Sequence, residues 1–192
     1  MPETLFIITY LYTNTIIVNS LLEKHFNKLE QQRTELINTL KGKSAALLAT
    51  PPASGKWSVL QILTHLYASE KLSFGYIKKK SQGIQHVGNA GLQQALIIPV
   101  LKISQRLPFR FKAPKVVVEN TPETMSLEEL INHWNLLRLE LKTHLENVSD
   151  GHLHKLVYKH PIAGRLSLPQ ALQFFAEHIN HHEPQIKKAL KS

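Results

Sequence analysis

The sequence predicts an all-α protein, a four-helix bundle in up-down-down-up order with a long crossover between its second and third helices. Three observations carry this. Apolar residues recur at three- and four-residue spacing through four separate stretches, which lays one stripe along each helix. Serines stand at the start of three of these stretches, where a side-chain oxygen can accept from the unpaired N–H groups of a first turn. The linkers are unequal, about nine residues between the first two helices and more than forty between the second and third. A short link joins antiparallel neighbours, whereas a long one carries the chain back so that the next helix runs the same way.

The first helix runs from about residue 15 or 20 to 48, with Leu22, Phe26, Leu29, Leu36, Leu40 and Leu47 on one stripe. Two prolines and a glycine in TPPASGKWS end it. The second opens at Ser58, carries Ile62, Leu63, Leu66, Phe74 and Ile77, and ends near Gly83. The crossover has room for a short helix near Leu92 to Ile103, followed by the proline-rich LPFRFKAPKVVVENTPE. The third helix begins at Ser126, with Glu129 completing a capping box, and repeats Leu127, Leu130, Ile131, Trp134, Leu137, Leu141, Leu145 and Val148. Ser167 and Gln170 open the fourth in the same way, with Pro169 in its first turn. Pro184, inside it, cannot donate to the carbonyl of Asn180, so a local kink is expected there. Only the short VVVE and HKLVY pieces read as strand-like. Residues 1–19 are an N-terminal extension or the start of helix one, and residues 20–192 one domain. The greasy run 5–18 lacks a basic start and a cleavage site, and is too short and polar to span a bilayer.

Composition narrows the function. With 43% apolar residues the chain can bury a sizeable core, and the absence of cysteine removes disulfides, thiolate ligands and a protein thiol nucleophile. A reducing cytoplasm is the expected compartment. The net charge of +9 belongs to one segment. No acidic residue lies between Glu70 and Glu119, and that stretch holds Lys71, Lys78, Lys79, Lys80, Lys102, Arg106, Arg110, Lys112 and Lys115. Such a segment attracts an anionic substrate, nucleic acid or a membrane surface, or is simply a solvated basic loop. Its few aromatics (Phe74, Tyr76, Phe109 and Phe111) and the lack of a recognised module weigh against nucleic acid. No apolar run reaches membrane length, and no phosphate loop, dinucleotide fingerprint or Ser-His-Asp pattern points to another chemistry.

His178 and His182, in AEHINHHEPQIKK, are the sharpest feature. Four residues apart on a helix, they share a face, and they continue the row of Ala171 and Phe175 in a stripe with Leu172, Ile179, Ile186 and Ala189. Two inward imidazoles need polar partners, and a metal ion uses both at this spacing. In a chain with eleven histidines a satisfied core pair is the competing reading. His181 falls to the flank. His65 lies roughly 10 Å into the second helix, and His182 roughly 12 Å before the end of the fourth, at 1.5 Å per residue. Antiparallel packing of these two helices brings His65 level with the pair as a third inward imidazole.

These residues also carry a resemblance. GKWSVLQILTHLYASE, with Trp57-Ser58 at the helix start, His65 and Glu70, resembles the second-helix signature of the DinB-like (DinB/YfiT) superfamily of metal-dependent four-helix-bundle proteins. HPIAGRLSLPQALQFFAEHINHHEPQIKKAL, from His160-Pro161 and Gly164 through His178, His182 and Gln185, is similar to that family's ending, and FKAPKVV to its crossover. The resemblance covers roughly residues 20–190. It implies a divalent metal held by His65, His178 and His182, with an open position of the kind found in catalytic sites. Imidazole ligands suit zinc, nickel or iron. Glu70 is a candidate to orient a ligand imidazole, against the plainer reading of a solvated helix charge. The remaining histidines read as surface or satisfied residues, His160 as a turn residue, and Trp57 and Trp134 as core.

Relatives in that superfamily include transferases that use a low-molecular-weight thiol. The expected function is therefore a metal-dependent enzyme acting on a small molecule, a thiol S-transferase or a hydrolase, with any thiol supplied by a cosubstrate. A non-catalytic metal- or ligand-binding bundle is the alternative, and nucleic-acid binding stands behind both. A homodimer is the expected assembly. The later crossover, around Arg110, Lys112 and Lys115, is expected near the open position, where it would favour an anionic substrate. Lys78, Lys79 and Lys80 belong roughly 20 Å further along helix two.

Overall fold

Helix starts in this protein are set by the side chains in front of them. The computed structural model describes residues 19–92, 125–160 and 163–191, with Gln94, Leu96, Ile97 and Pro99 between them. Asn19 accepts from the N–H groups of Leu21 and Leu22 and opens α1, Ser20–Leu40, which buries Leu22, Phe26, Leu29, Leu36 and Leu40. The helix stops there, short of the expected residue 48, because Gly42 adopts a left-handed φ of 75° and Ser44 caps a separate turn. That turn is α2, Ala45–Ala49, and the reset phase buries Leu48 in place of Leu47. α3, Val59–Ser81, begins with a reciprocal pair: Ser58 Oγ accepts from the Gln61 N–H, and Gln61 Oε1 accepts from the Ser58 N–H. Ser126 and Glu129 repeat it at α4, Leu127–Glu146. Gln170 Oε1 accepts from the Ser167 N–H at the start of α5, Leu168–Ala189, which continues through Pro184.

Side-chain pairs fix the directions of the helices. Tyr67 faces His133, Glu70 bonds Trp134 and Arg138, and Ser81 meets His144, so α3 and α4 run parallel. His25 with Gln173 and Gln32 with Asn180 make α1 and α5 parallel. Arg33 with Asn135 and Glu30 with Arg138 step in opposite senses, so α1 opposes α4. The order is up-down-down-up, as the linker lengths require. The starts of α3 and α4 accordingly share one end of the bundle, where Lys43, Leu48, Ser58, Gln61, Met125 and Ser126 line a cavity of about 430 Å³. Between α4 and α5 the chain forms a hairpin absent from the expected elements. β1, Tyr158–His160, pairs antiparallel with β2, Gly164–Leu166, in the register Tyr158 to Leu166 and His160 to Gly164. Gly164 takes φ 74° as the tight link returns, a conformation that disfavours any side chain with a Cβ. Of HKLVY only Tyr158 enters a strand.

Apart from the histidines, the core holds a buried network of charged side chains. Arg138, fully buried, lies 2.8 Å from Glu70 and 3.2 Å from Glu30, which also pairs with Arg33 at 2.9 Å. Trp134 Nε1 donates to Glu70 at 3.1 Å. Two cations and two carboxylates thus neutralise one another where α1, α3 and α4 meet, an arrangement that fixes register because a displaced helix would strand a buried charge. Leu92, Gln94, Leu96, Ile97 and Pro99 are helical, while most of the expected Leu92–Ile103 helix, residues 1–18 and the VVVE piece lie outside the described residues. No described helix is long and apolar enough to cross a membrane.

Candidate metal centre

His65 sits in the second turn of α3, between Leu63 and Leu66, which are buried and fix the helix's rotation. His178 and His182 extend the buried Phe175 row of α5. Packing of α3 against α5 brings the rings together, with centroids 5.2 Å apart for His65 and His178, 5.1 Å for His65 and His182, and 4.9 Å for His178 and His182. Each offers a nitrogen, and the three nitrogens lie within 4.8 Å of one another. Nitrogens bound to one zinc at about 2.1 Å stand about 3.4 Å apart, so modest side-chain rotations close the set around a single ion. Among the described residues no other group of histidine and carboxylate side chains comes together this way.

The electrostatics suit a cation. Burial lowers the pKa of His65 to about 4 and of His182 to about 3, in each case reinforced by the neighbouring imidazoles. Burial likewise holds His178 well below the ordinary histidine value, with His182 and His65 adding to the effect. Three neutral nitrogens at physiological pH have no proton to lose before binding. Gln185 Oε1 lies 3.3 Å from His182 Nδ1. An amide oxygen only accepts, so it pairs with the tautomer protonated at Nδ1, which leaves the lone pair on Nε2 for a ligand.

Other sequence expectations need correction. Glu70 does not orient a ligand: it is buried and bonded to Trp134 and Arg138 on the α4 side. Burial raises its pKa against the pull of Arg138. Five residues after His65, it points about 140° around α3, away from α5. Trp57 is not core; it is 41% exposed, with its ring 5.1 Å from His65. His160 is not an open turn residue. It is buried, accepts from the Ala163 N–H through Nδ1 at 2.8 Å, and stands edge-on to Phe174 at 4.3 Å. Phe174 in turn stacks on His178 at 5.6 Å. His181, on the flank, comes within 5.0 Å of the His182 ring. Arg110, Lys112 and Lys115 lie outside the described residues, and Lys78 pairs with Glu140 at the surface. Gln185 was legible as the residue one turn beyond His182, and His160 only as the start of the family-like ending; Phe174 had no such signal.

These shifts predict acid sensitivity of the metal-free protein. His160, also lowered to about 4 by burial, joins the three. Below an unfolded pKa near 6.5, the unfolded chain takes up protons that the folded state refuses, so stability falls as pH falls. Each imidazole adds to the fall of stability below about pH 6.5, the ordinary histidine value. Burial lowers His144 as well, so Glu70, raised by burial, acts in the opposite sense as one group against five. Urea midpoints should be level from pH 8 to 7 and drop steeply between pH 6 and 4.5; a level midpoint down to pH 4.5 would contradict the neutral imidazoles.

Comparison with known proteins agrees with this architecture. Residues 28–186 match the DinB superfamily. The chain is 23% identical over 158 residues to the uncharacterized protein YuaE of Bacillus subtilis (strain 168), which covers 82% of this chain and 92% of that protein. Among solved structures it is similar to YfiT from Bacillus subtilis, described as a probable metal-dependent hydrolase with an unusual four-helix bundle topology. The TM-score is 0.56 with 16% identity, over 88% of this chain and 86% of the other. At that identity the likeness is one of fold. The match through 159 consecutive positions, from within α1 to near the end of α5, sets the affiliation: this chain belongs to the DinB superfamily.

Proposed function

We propose that the protein is a metal-dependent enzyme that acts on a small molecule, as a thiol S-transferase or a hydrolase. A divalent zinc, nickel or iron ion would be held by His65, His178 and His182. The observation that carries this reading is the approach of three imidazole nitrogens to within 4.8 Å from two antiparallel helices. Their neutrality, produced by burial, supports it, and so does the description of YfiT as a probable metal-dependent hydrolase. When bound, the ion supplies a Lewis acid that lowers the pKa of a water or a thiol. The protein's own residues do the rest. Gln185 fixes the His182 tautomer, Phe174 excludes water from behind His178, and three neutral ligands leave the ion's positive charge undiminished for an anionic group. A thiol, where one is used, comes from a low-molecular-weight cosubstrate, since the chain has no cysteine.

The test is elemental analysis of untagged protein purified without chelator, followed by assays of the loaded and metal-free forms. One assay measures thiol transfer to a small electrophile and the other ester or amide hydrolysis. About one ion per chain, with turnover only in the loaded form, is the expected result. Stoichiometric metal without either activity would turn the reading into that of a binding protein, and metal-free protein that takes up no ion would end it.

A further inference from the structure

We propose that Trp57 forms an aromatic wall at the mouth of the three-histidine site and selects small molecules that carry a planar apolar group next to their metal-binding head. The inference rests on the functional reading above and assigns that site its substrate class. Trp57 directly precedes Ser58, the residue that caps α3. The helix start is held by the reciprocal Ser58–Gln61 pair, which makes no use of the indole. Ser58 and Val59 beside it are completely buried, yet the indole remains 41% exposed while its ring stands 5.1 Å from His65. The indole thus offers an apolar face to solvent directly beside a candidate metal ligand.

The contrast within the chain is informative. Trp134, the second tryptophan, is 1% exposed and its N–H is taken by Glu70, so this fold can bury an indole completely where the role is structural. Phe174, which meets a different histidine of the cluster, is 6% exposed, stacks on His178 and is backed by His160. Of these two aromatic neighbours the indole is the exposed one, and it is the face offered to a ligand that approaches His65 from solvent. An aromatic group that reached the indole would attract it in offset or edge-on geometry, at ring-centroid separations of about 4.5–7 Å. A preference of about tenfold over a ligand without the ring follows, the usual scale of such a contact.

Calorimetry with two metal-binding probes of the same head tests the assignment. Nickel-loaded wild type should bind benzohydroxamate about tenfold more tightly than acetohydroxamate. Trp57→Ala should bind the same amount of nickel and lose that preference, whereas Trp57→Phe should keep most of it. A preference unchanged in Trp57→Ala, with nickel stoichiometry intact, overturns the assignment to Trp57 and leaves the metal site standing. Failure of the wild type to bind nickel, zinc or iron overturns the functional reading and this inference with it. Should the alanine variant lose its helical circular dichroism, Trp57→Leu takes its place, with the same outcomes, because leucine keeps apolar bulk without a ring.

Discussion

Replacing His178 or His182 by alanine should abolish stoichiometric metal binding while the bundle remains helical. Loss of an outer hydrogen-bond partner of a metal ligand costs roughly 10- to 100-fold in affinity, so loss of a ligand itself should exceed about 100-fold. The reason is geometric. The two rings are 4.9 Å apart on one face of α5 and face a single imidazole from α3, so neither variant retains more than one ligand from each helix. His181→Ala is the matched control. It removes an imidazole 5.0 Å from His182 but not one of the three clustered nitrogens, and should leave metal content nearly unchanged. Wild-type metal content in the His178→Ala/His182→Ala double variant would remove the site. Equal losses in His181→Ala would mean that the wrong face of α5 has been assigned.

The largest effect on stability should come from Arg138, a residue remote from that chemistry. Arg138→Met fills similar space but leaves Glu70 buried without its cation, and breaking a buried ion pair by removing one partner costs about 3–5 kcal/mol. Adding Glu70→Gln should recover more than half of this, because the amide oxygen still accepts from Trp134 Nε1 and no charge remains to be compensated. Urea unfolding of the single and double variants gives both numbers. A loss below about 1 kcal/mol in Arg138→Met would show that Glu70 is already protonated in the native state, the direction in which burial pushes it.

How the fold could be read from the sequence, and where the reading stopped, follows from the range of each signal. Ser126 with Glu129 and Ser167 with Gln170 are local devices, so the starts of α4 and α5 were legible, and the unequal first two linkers pointed to the observed order of directions. The His65, His178 and His182 cluster was reachable because helix rise puts the rings level once the two helices are taken as antiparallel, and the family resemblance pointed to the same three residues. The break after Leu40 was hidden because Leu47 fits the phase of the preceding stripe by chance; Gly42 and Ser44 carried the signal. Glu70 was misplaced because its partners lie on another helix. Arg33 and Arg138 were the clues, arginines standing within otherwise apolar stripes, where a carboxylate must meet them. The exposure of Trp57 and the burial of His160 depend on the hairpin and on neighbours distant in sequence, which periodicity cannot supply.

The pairing of α1 with α5 also bears on how the chain is made. The apolar stripe of α1 is complete once Leu40 has been added, but the helix that runs parallel to it and meets it at Gln173 and Asn180 does not begin until Leu168. At a synthesis rate of 5–20 residues per second, the intervening chain takes about ten seconds to follow. Throughout that interval Leu22, Phe26 and Leu29 lack their final covering, so the nascent chain passes through a sticky stage that no local contact can shorten. The last helix delivers both the missing wall of the core and two of the three histidines, so completion of the core and assembly of the ligand cluster fall in the same step. A chain arrested before α5 would then have neither, which places assembly of the histidine cluster at the end of folding rather than at its beginning.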